Sequence, residues 1–141
     1  IDWDQLKQRK HQEMLIDVKK MIAIRKQEKD VIHSVYNETR PNVESVFYKS
    51  TSTIPVPYIL WNDKKAILIA GNNSDKDVKL TVTLPLEKIG MKGASRIRLT
   101  DLWNGGEKVV ELKDLPEFSF GIKRDKVAGG GLAVYKMEVM P

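Results

Sequence analysis

A chain of 141 residues is enough for one domain with a real core and too short for a complete large enzyme. Its 41% hydrophobic and 30% charged residues are ordinary for a globular protein, and the lack of cysteine excludes a disulfide framework or a thiolate metal site. The net charge of +5 is mixed rather than blocked: Lys19-Lys20 and Arg25-Lys26 sit among Glu13, Asp17, Glu28 and Asp30, the pattern of a solvated helix face and not of a nucleic-acid surface.

Residues 2–36 read as helix. Asp2 or Asp4 can cap its first turn. Met14, Leu15, Val18, Met21 and Ile22 recur at helical spacing, Val31, Ile32 and Val35 extend the stripe, and core packing is its expected role. Asn37 to Pro41 end the pattern, because Pro41 disfavours helix at Arg40 and brings no amide hydrogen.

Strands follow. Val43–Tyr48 is expected as one strand, and Pro55-Val-Pro57 as an extended lead into Tyr58-Ile-Leu-Trp61, at an edge or a strand start. Asn62-Asp63 turns the chain into Ala66–Ala70, apolar on both faces and so expected in a sheet centre. After the turn Gly71-Asn-Asn-Ser-Asp75, Val78, Leu80, Val82 and Leu84 alternate with polar residues in the cleanest half-buried strand. Leu86–Ile89 suggests one helical turn. Arg96–Leu102 and Val109–Leu112 flank Asn104-Gly105, residues that tolerate the positive φ of a tight hairpin. Phe118, Phe120 and Ile122, then Ala133, Tyr135, Met137 and Val139, repeat the period-2 pattern on either side of Gly129-Gly-Gly131. Short strands at this spacing predict a mainly β fold: an antiparallel β-sandwich of Greek-key type preceded by one long α-helix. The expected boundaries are 1–40 for the helix and 41–141 for the sandwich.

A search for chemistry finds little. His11 and His33 stand 22 positions apart, roughly 33 Å on one helix, and cannot share a metal. The triple glycine lacks the lysine and following helix of a phosphate-binding loop. Asp63, Asp75, Asp77, Asp101, Asp114 and Asp125 lie at strand ends and turns, where aspartate bonds its own backbone. Asn72-Asn-Ser74 and Asn37-Glu-Thr39 match a common N-glycosylation pattern. No catalytic residue, cofactor site or metal site is expected. Trp61, Trp103, Tyr58 and Phe47 are the aromatics that could stack on a sugar. Trp103 is expected mostly buried, covering an end of the sandwich, whereas Trp61 and Tyr58 are the candidates for a sugar-binding surface.

No apolar run approaches the roughly 18 residues of a membrane span, and no signal peptide is seen. The start at Ile1, without Met, suggests a processed protein or an excised fragment. The compartment is undetermined.

Ile1-Asp-Trp-Asp, a spacer, and Met14-Leu-Ile-Asp-Val-Lys-Lys-Met-Ile-Ala-Ile-Arg-Lys26 resemble the last barrel helix of α-amylase-type glycoside hydrolases of family 13. In those enzymes a leucine- or isoleucine-rich segment ending in Arg-Lys precedes the C-terminal domain, and Met21-Ile-Ala-Ile-Arg-Lys26 fills that slot here. Ala66-Ile-Leu-Ile-Ala-Gly-Asn-Asn73, Leu99-Thr-Asp-Leu-Trp-Asn-Gly105 and Gly131-Leu-Ala-Val-Tyr135 are similar to strands of their C-terminal β-sandwich. The Asp-Leu-Trp hairpin is also similar to one in the C-terminal sandwich of family 27. The resemblance implies a non-catalytic accessory domain that supports the catalytic barrel of a glycosidase acting on α-glycosidic bonds, whose carboxylates would lie upstream of this chain. The alternatives are a carbohydrate-binding module that holds an oligosaccharide through Trp61 and Tyr58, and an unrelated β-sandwich interaction domain. The stripe of Leu15, Val18, Met21 and Ile22 is expected to pack on that barrel. In its absence the stripe would lie across the sandwich or pair with a second copy as a homodimer.

Overall fold

The computed structural model describes residues 9–32, 42–124 and 130–140, with side chains from Met14 onward. The expected caps at Asp2 and Asp4, Val35, His33, the Asn37 acceptor and Asp125 lie outside the described residues, as does the His11 side chain. The fold is mainly β, with two antiparallel sheets and the helix ahead of them. α1 spans Arg9–Gln27 and a one-turn α2 spans Lys29–Ile32. The strands are β1 (Val43–Ser45), β2 (Phe47–Ser50), β3 (Tyr58–Trp61), β4 (Lys65–Gly71), β5 (Val78–Thr83), β6 (Arg96–Asp101), β7 (Glu107–Glu111), β8 (Glu117–Ile122) and β9 (Leu132–Val139). They form a six-stranded sheet, β1-β3-β4-β9-β6-β7, facing a three-stranded sheet, β2-β5-β8.

The run expected as one strand is two. Val46 is buried between β1 and β2, and its amide donates to the Pro57 carbonyl at 3.0 Å while the chain crosses from one sheet to the other. The two halves therefore present opposite neighbours: Ser45 aligns with Tyr58, and Phe47 with Thr83.

Period-2 alternation then builds two cores on the two faces of the six-stranded sheet. Ile59, Ala66, Leu68, Ala70, Ile97, Leu99, Ala133 and Met137 face inward against Val78, Leu80, Val82, Phe118 and Ile122 of the smaller sheet. Leu60, Ile67 and Val134 face outward into a second cluster with Trp103 and Val31. β4 is the third strand of six and is apolar on both faces for that reason.

The hairpin after β6 is a five-residue loop rather than a tight turn at Asn104-Gly105. Asp101 and Gly106 close a loop over Leu102–Gly106, with the Asp101 amide on the Gly106 carbonyl at 2.9 Å. Positive φ falls on Gly105 (86°) and Gly106 (99°), not on Asn104. Asp101 Oδ1 accepts the amides of Trp103 at 3.0 Å and Asn104 at 2.8 Å, the local bonding that aspartate supplies to turns. This cap turns Trp103 towards the outer face of the sheet.

Candidate functional site: a helix with two working faces

The helix meets the sheet at its C-terminal end. Ile24, Val31 and Ile32 pack on Leu60, Ile67, Ile69 and Val134, and Trp103 completes the cluster with a ring only 2% exposed. Trp103 is thus buried as expected, but beneath the helix rather than over an end of the sandwich. Lys20 Nζ stands 4.5 Å from the centroid of that ring, a cation–π contact.

Glu28, read from the sequence as part of a solvated face, is 1% exposed. It sits at the break between α1 and α2, where its carbonyl accepts the amides of Val31 and Ile32, both at 3.1 Å. Its carboxylate takes Lys65 Nζ on both oxygens, at 3.0 and 3.1 Å, and Lys136 Nζ at 3.2 Å. Lys65 also reaches Asp30 Oδ1 at 3.0 Å, and Asn62 Nδ2 donates to Asp30 Oδ2 at 3.3 Å. Burial works against the Lys65 charge, but hydrogen bonds and charge from Glu28 and Asp30 outweigh it and hold Lys65 above its ordinary pKa. Burial likewise works against the Asp30 charge, yet Lys65 and Asn62 hold its carboxyl below the ordinary value. A carboxylate on the helix and two lysines on neighbouring strands, β4 and β9, fix the direction in which α1 leaves the sandwich.

The other side of α1 is bare. Met14 is 65% exposed, Leu15 39%, Val18 41%, Met21 48% and Ile22 49%. At 100° per residue these five centre about 130° around the helix from the line of Asp17, Lys20 and Ile24 that faces the sheet. The stripe therefore does not lie across the sandwich, which overturns one of the two expected resting places. α1 is 19 residues, about 28 Å long, and carries its docked surface and its free apolar surface side by side.

The aromatics named as sugar candidates do not come together. Trp61 packs against the inter-sheet core, and Tyr58, 41% exposed, lies with Leu60 on the opposite face of the same sheet. Residues three apart on a strand point to opposite sides, so Tyr58 and Trp61 make no single platform. Phe47, 85% exposed, stands on the smaller sheet. Asn72 is 2% exposed, and its side-chain amide donates to the carbonyls of Lys76 at 2.8 Å, Ile122 at 3.1 Å and Lys123 at 3.3 Å. In the folded chain this asparagine ties β4 to β8 and offers no free nitrogen for a glycan. Among the described residues no group of three or more acidic or histidine side chains could hold a metal, and no helix is long and apolar enough to cross a membrane.

Sequence reasoning missed Glu28 and its two lysines. A carboxylate in the run Arg-Lys-Gln-Glu-Lys-Asp carries no mark of burial, and its partners lie 37 and 108 positions away. The one legible signal was that Glu28 falls four residues after Ile24 and three before Val31, on the same side of the helix. No protein-family model and no curated protein matches this sequence.

Proposed function

We propose that this chain is the non-catalytic C-terminal part of an α-amylase-type glycoside hydrolase, in which α1 packs between the sandwich and the catalytic barrel. One observation carries the reading. The helix is clamped to its own sheet on one face, while five large apolar side chains stand in water on another. Each such side chain contributes about 1.5–3 kcal/mol when fully buried, so a second body of the same molecule gains from covering the stripe. The resemblance of Met21–Lys26, of the Leu99–Gly105 hairpin and of the last strand to family 13 supports the barrel as that body. The sandwich then serves as a buttress: it orients the helix through Glu28, Lys65 and Lys136 and adds no reacting group. α-Glycoside cleavage needs two opposed carboxylates, which such an enzyme carries on its barrel strands.

N-terminal sequencing and intact mass of the protein isolated from its natural source test this. The expected result is a polypeptide well above 16.1 kDa whose upstream peptides include barrel strands ending in carboxylates. A native protein that begins at Ile1, or an upstream region of another fold, overturns it. The purified chain is expected to release no product from aryl α-glucosides or starch.

A further inference from the structure

A second feature lies on the far side of the six-stranded sheet from α1 and is independent of what covers the helix. Where the larger sheet overhangs the smaller, a cleft of about 240 Å³ opens between the Gly105-Gly106 turn, β8 and β9. Its apolar wall is a cluster of three rings. Phe118 and Phe120 stack at 5.0 Å, and Tyr135 meets them edge-on at 5.1 and 5.0 Å. Phe118 is buried, whereas Phe120 and Tyr135 are half-buried and keep part of each ring open to the cleft.

The polar side is formed by the strand ends. Asp101 aligns with Tyr135 across β6 and β9. Its Oδ1 is committed to the turn amides, while Oδ2 takes no hydrogen bond among the described residues. Lys108 stands on the neighbouring strand β7, with its Nζ 5.7 Å from the Phe118 ring. Gly105 and Gly106 leave the mouth clear, since no atom lies within 4 Å of the place where a Cβ would stand.

These groups select among ligands. Asp101 balances Lys108, so the cleft carries no net charge and favours neither an anion nor a cation. A cation would compete with Lys108 for the aromatic face. A sugar ring satisfies both sides, because its C–H face packs on an aromatic ring and its hydroxyls donate to a carboxylate and accept from an ammonium. The volume suits one ring. We propose that this cleft binds a neutral pyranose of a saccharide, stacked on Phe120 and Tyr135 with its hydroxyls on Asp101 and Lys108. A second, open groove of about 600 Å³ lies on the other, solvent face of the smaller sheet, over Ser119, Thr81, Lys79 and Lys49, and forms no part of this site. Thr81 and Ser119 hydroxyls lie 2.7 Å apart on its floor.

The test is an NMR titration of the chain with the methyl pyranosides of glucose, galactose and mannose and with maltotetraose, to tens of millimolar. The expected result is that at least one sugar moves the amides of Asp101, Gly105, Gly106, Ser119 and Tyr135. Asp101→Asn, which keeps an Oδ1 acceptor for the turn and hence the fold, weakens that binding about tenfold. Tyr135→Phe, with dispersed spectra unchanged, weakens it less. No shifts at the cleft with any of the four sugars, shifts confined to Trp61 or Tyr58, or equal binding by Asp101→Asn overturns the proposal. Shifts produced by tetramethylammonium chloride and by none of the sugars also overturn it.

Discussion

Glu28→Ala removes the carboxylate that two strand lysines share. Breaking a buried ion pair by deleting one partner costs about 3–5 kcal/mol, because the remaining charge keeps its desolvation and loses its partner. Here the loss falls near the low end, about 3 kcal/mol. Lys65 keeps Asp30 at 3.0 Å, Lys136 keeps Glu138 at 3.6 Å, and both lysines are 15% exposed. Glu28→Gln retains the shape and one acceptor but gives up charge assistance, and is expected to cost about 1–2 kcal/mol. Urea unfolding of a domain this size has a slope of roughly 1–3 kcal/mol per molar, so Glu28→Ala should move the midpoint by about 1–3 M. Tryptophan fluorescence reads the transition, with Trp103 in the cluster under the helix beside Val31. Far-UV circular dichroism run in parallel distinguishes global unfolding from release of the helix alone, since only the latter separates the two transitions. A loss under about 1 kcal/mol with coincident transitions would show that Glu28 does not hold the helix to the sheet.

Four further outcomes follow from the same geometry. Trp103→Ala should cost about 3–5 kcal/mol in urea unfolding, while Trp103→Phe keeps most of the buried ring and should cost about 1–2 kcal/mol. The second value is small because Trp103 Nε1 is buried with no hydrogen-bond partner among the described residues, so no bond is lost. Lys65 is raised above its ordinary 10.5 in the fold, so its contribution is complete below that pH and fades as pH climbs through the raised value; thermal melts should show stability falling above 10.5, and less so in Lys65→Met. Asp30 is lowered below its ordinary 3.8, so its smaller contribution is present above pH 3.8 and is lost as pH falls through the lowered value; Asp30→Asn should flatten that acid limb. Asn72→Ala removes the side-chain donor to the buried Ile122 carbonyl, while the Lys76 carbonyl keeps the Ser74 hydroxyl at 3.0 Å, and should cost about 1–3 kcal/mol, read by the same unfolding assay.

The strands were legible because alternation is a local signal. Val78–Leu84 and Phe118–Ile122 declare a face through residues two apart, Tyr58–Trp61 and Ala66–Ala70 are short apolar runs set off by prolines and turn residues, and the ends of all four fall within a residue of the observed strands. The break at Val46 left no such mark: a residue that changes sheets is still extended, and only the pairing partners on β3 and β5 reveal the switch. The burial of Trp103 could be read from its type and its place at a strand end. Its side of the sheet could not, since the cap from Asp101 and the cover from Val31 come from the fold. The same holds for the helix. Spacing ran Met14 to Ile22 on into Val31 and Ile32 as one stripe, which the structure splits into a bare row and a docked row that includes Ile24. Which of the two rows docks was decided by Glu28, whose lysines on β4 and β9 are distant in sequence. Tyr58 and Trp61 were paired as sugar ligands through nearness in the chain, although a separation of three on a strand puts them on opposite faces. The aromatic cleft was hidden for the converse reason: Asp101, Phe120 and Tyr135 come from three strands that only the sandwich brings together.

A docking role for the bare stripe of α1 has a direct measure in the association of the chain with itself. Sedimentation velocity over a range of concentrations measures it, on the chain and on the double variant Met21→Glu, Ile22→Glu. Both residues are about half exposed and touch neither core, so the substitutions leave the sandwich intact. An uncovered docking face is expected to make the chain associate with itself reversibly as concentration rises, and the double variant to stay monomeric with an unchanged unfolding midpoint. A chain that sediments as a monomer at every concentration, indistinguishable from the variant, would contradict a docking role for that face.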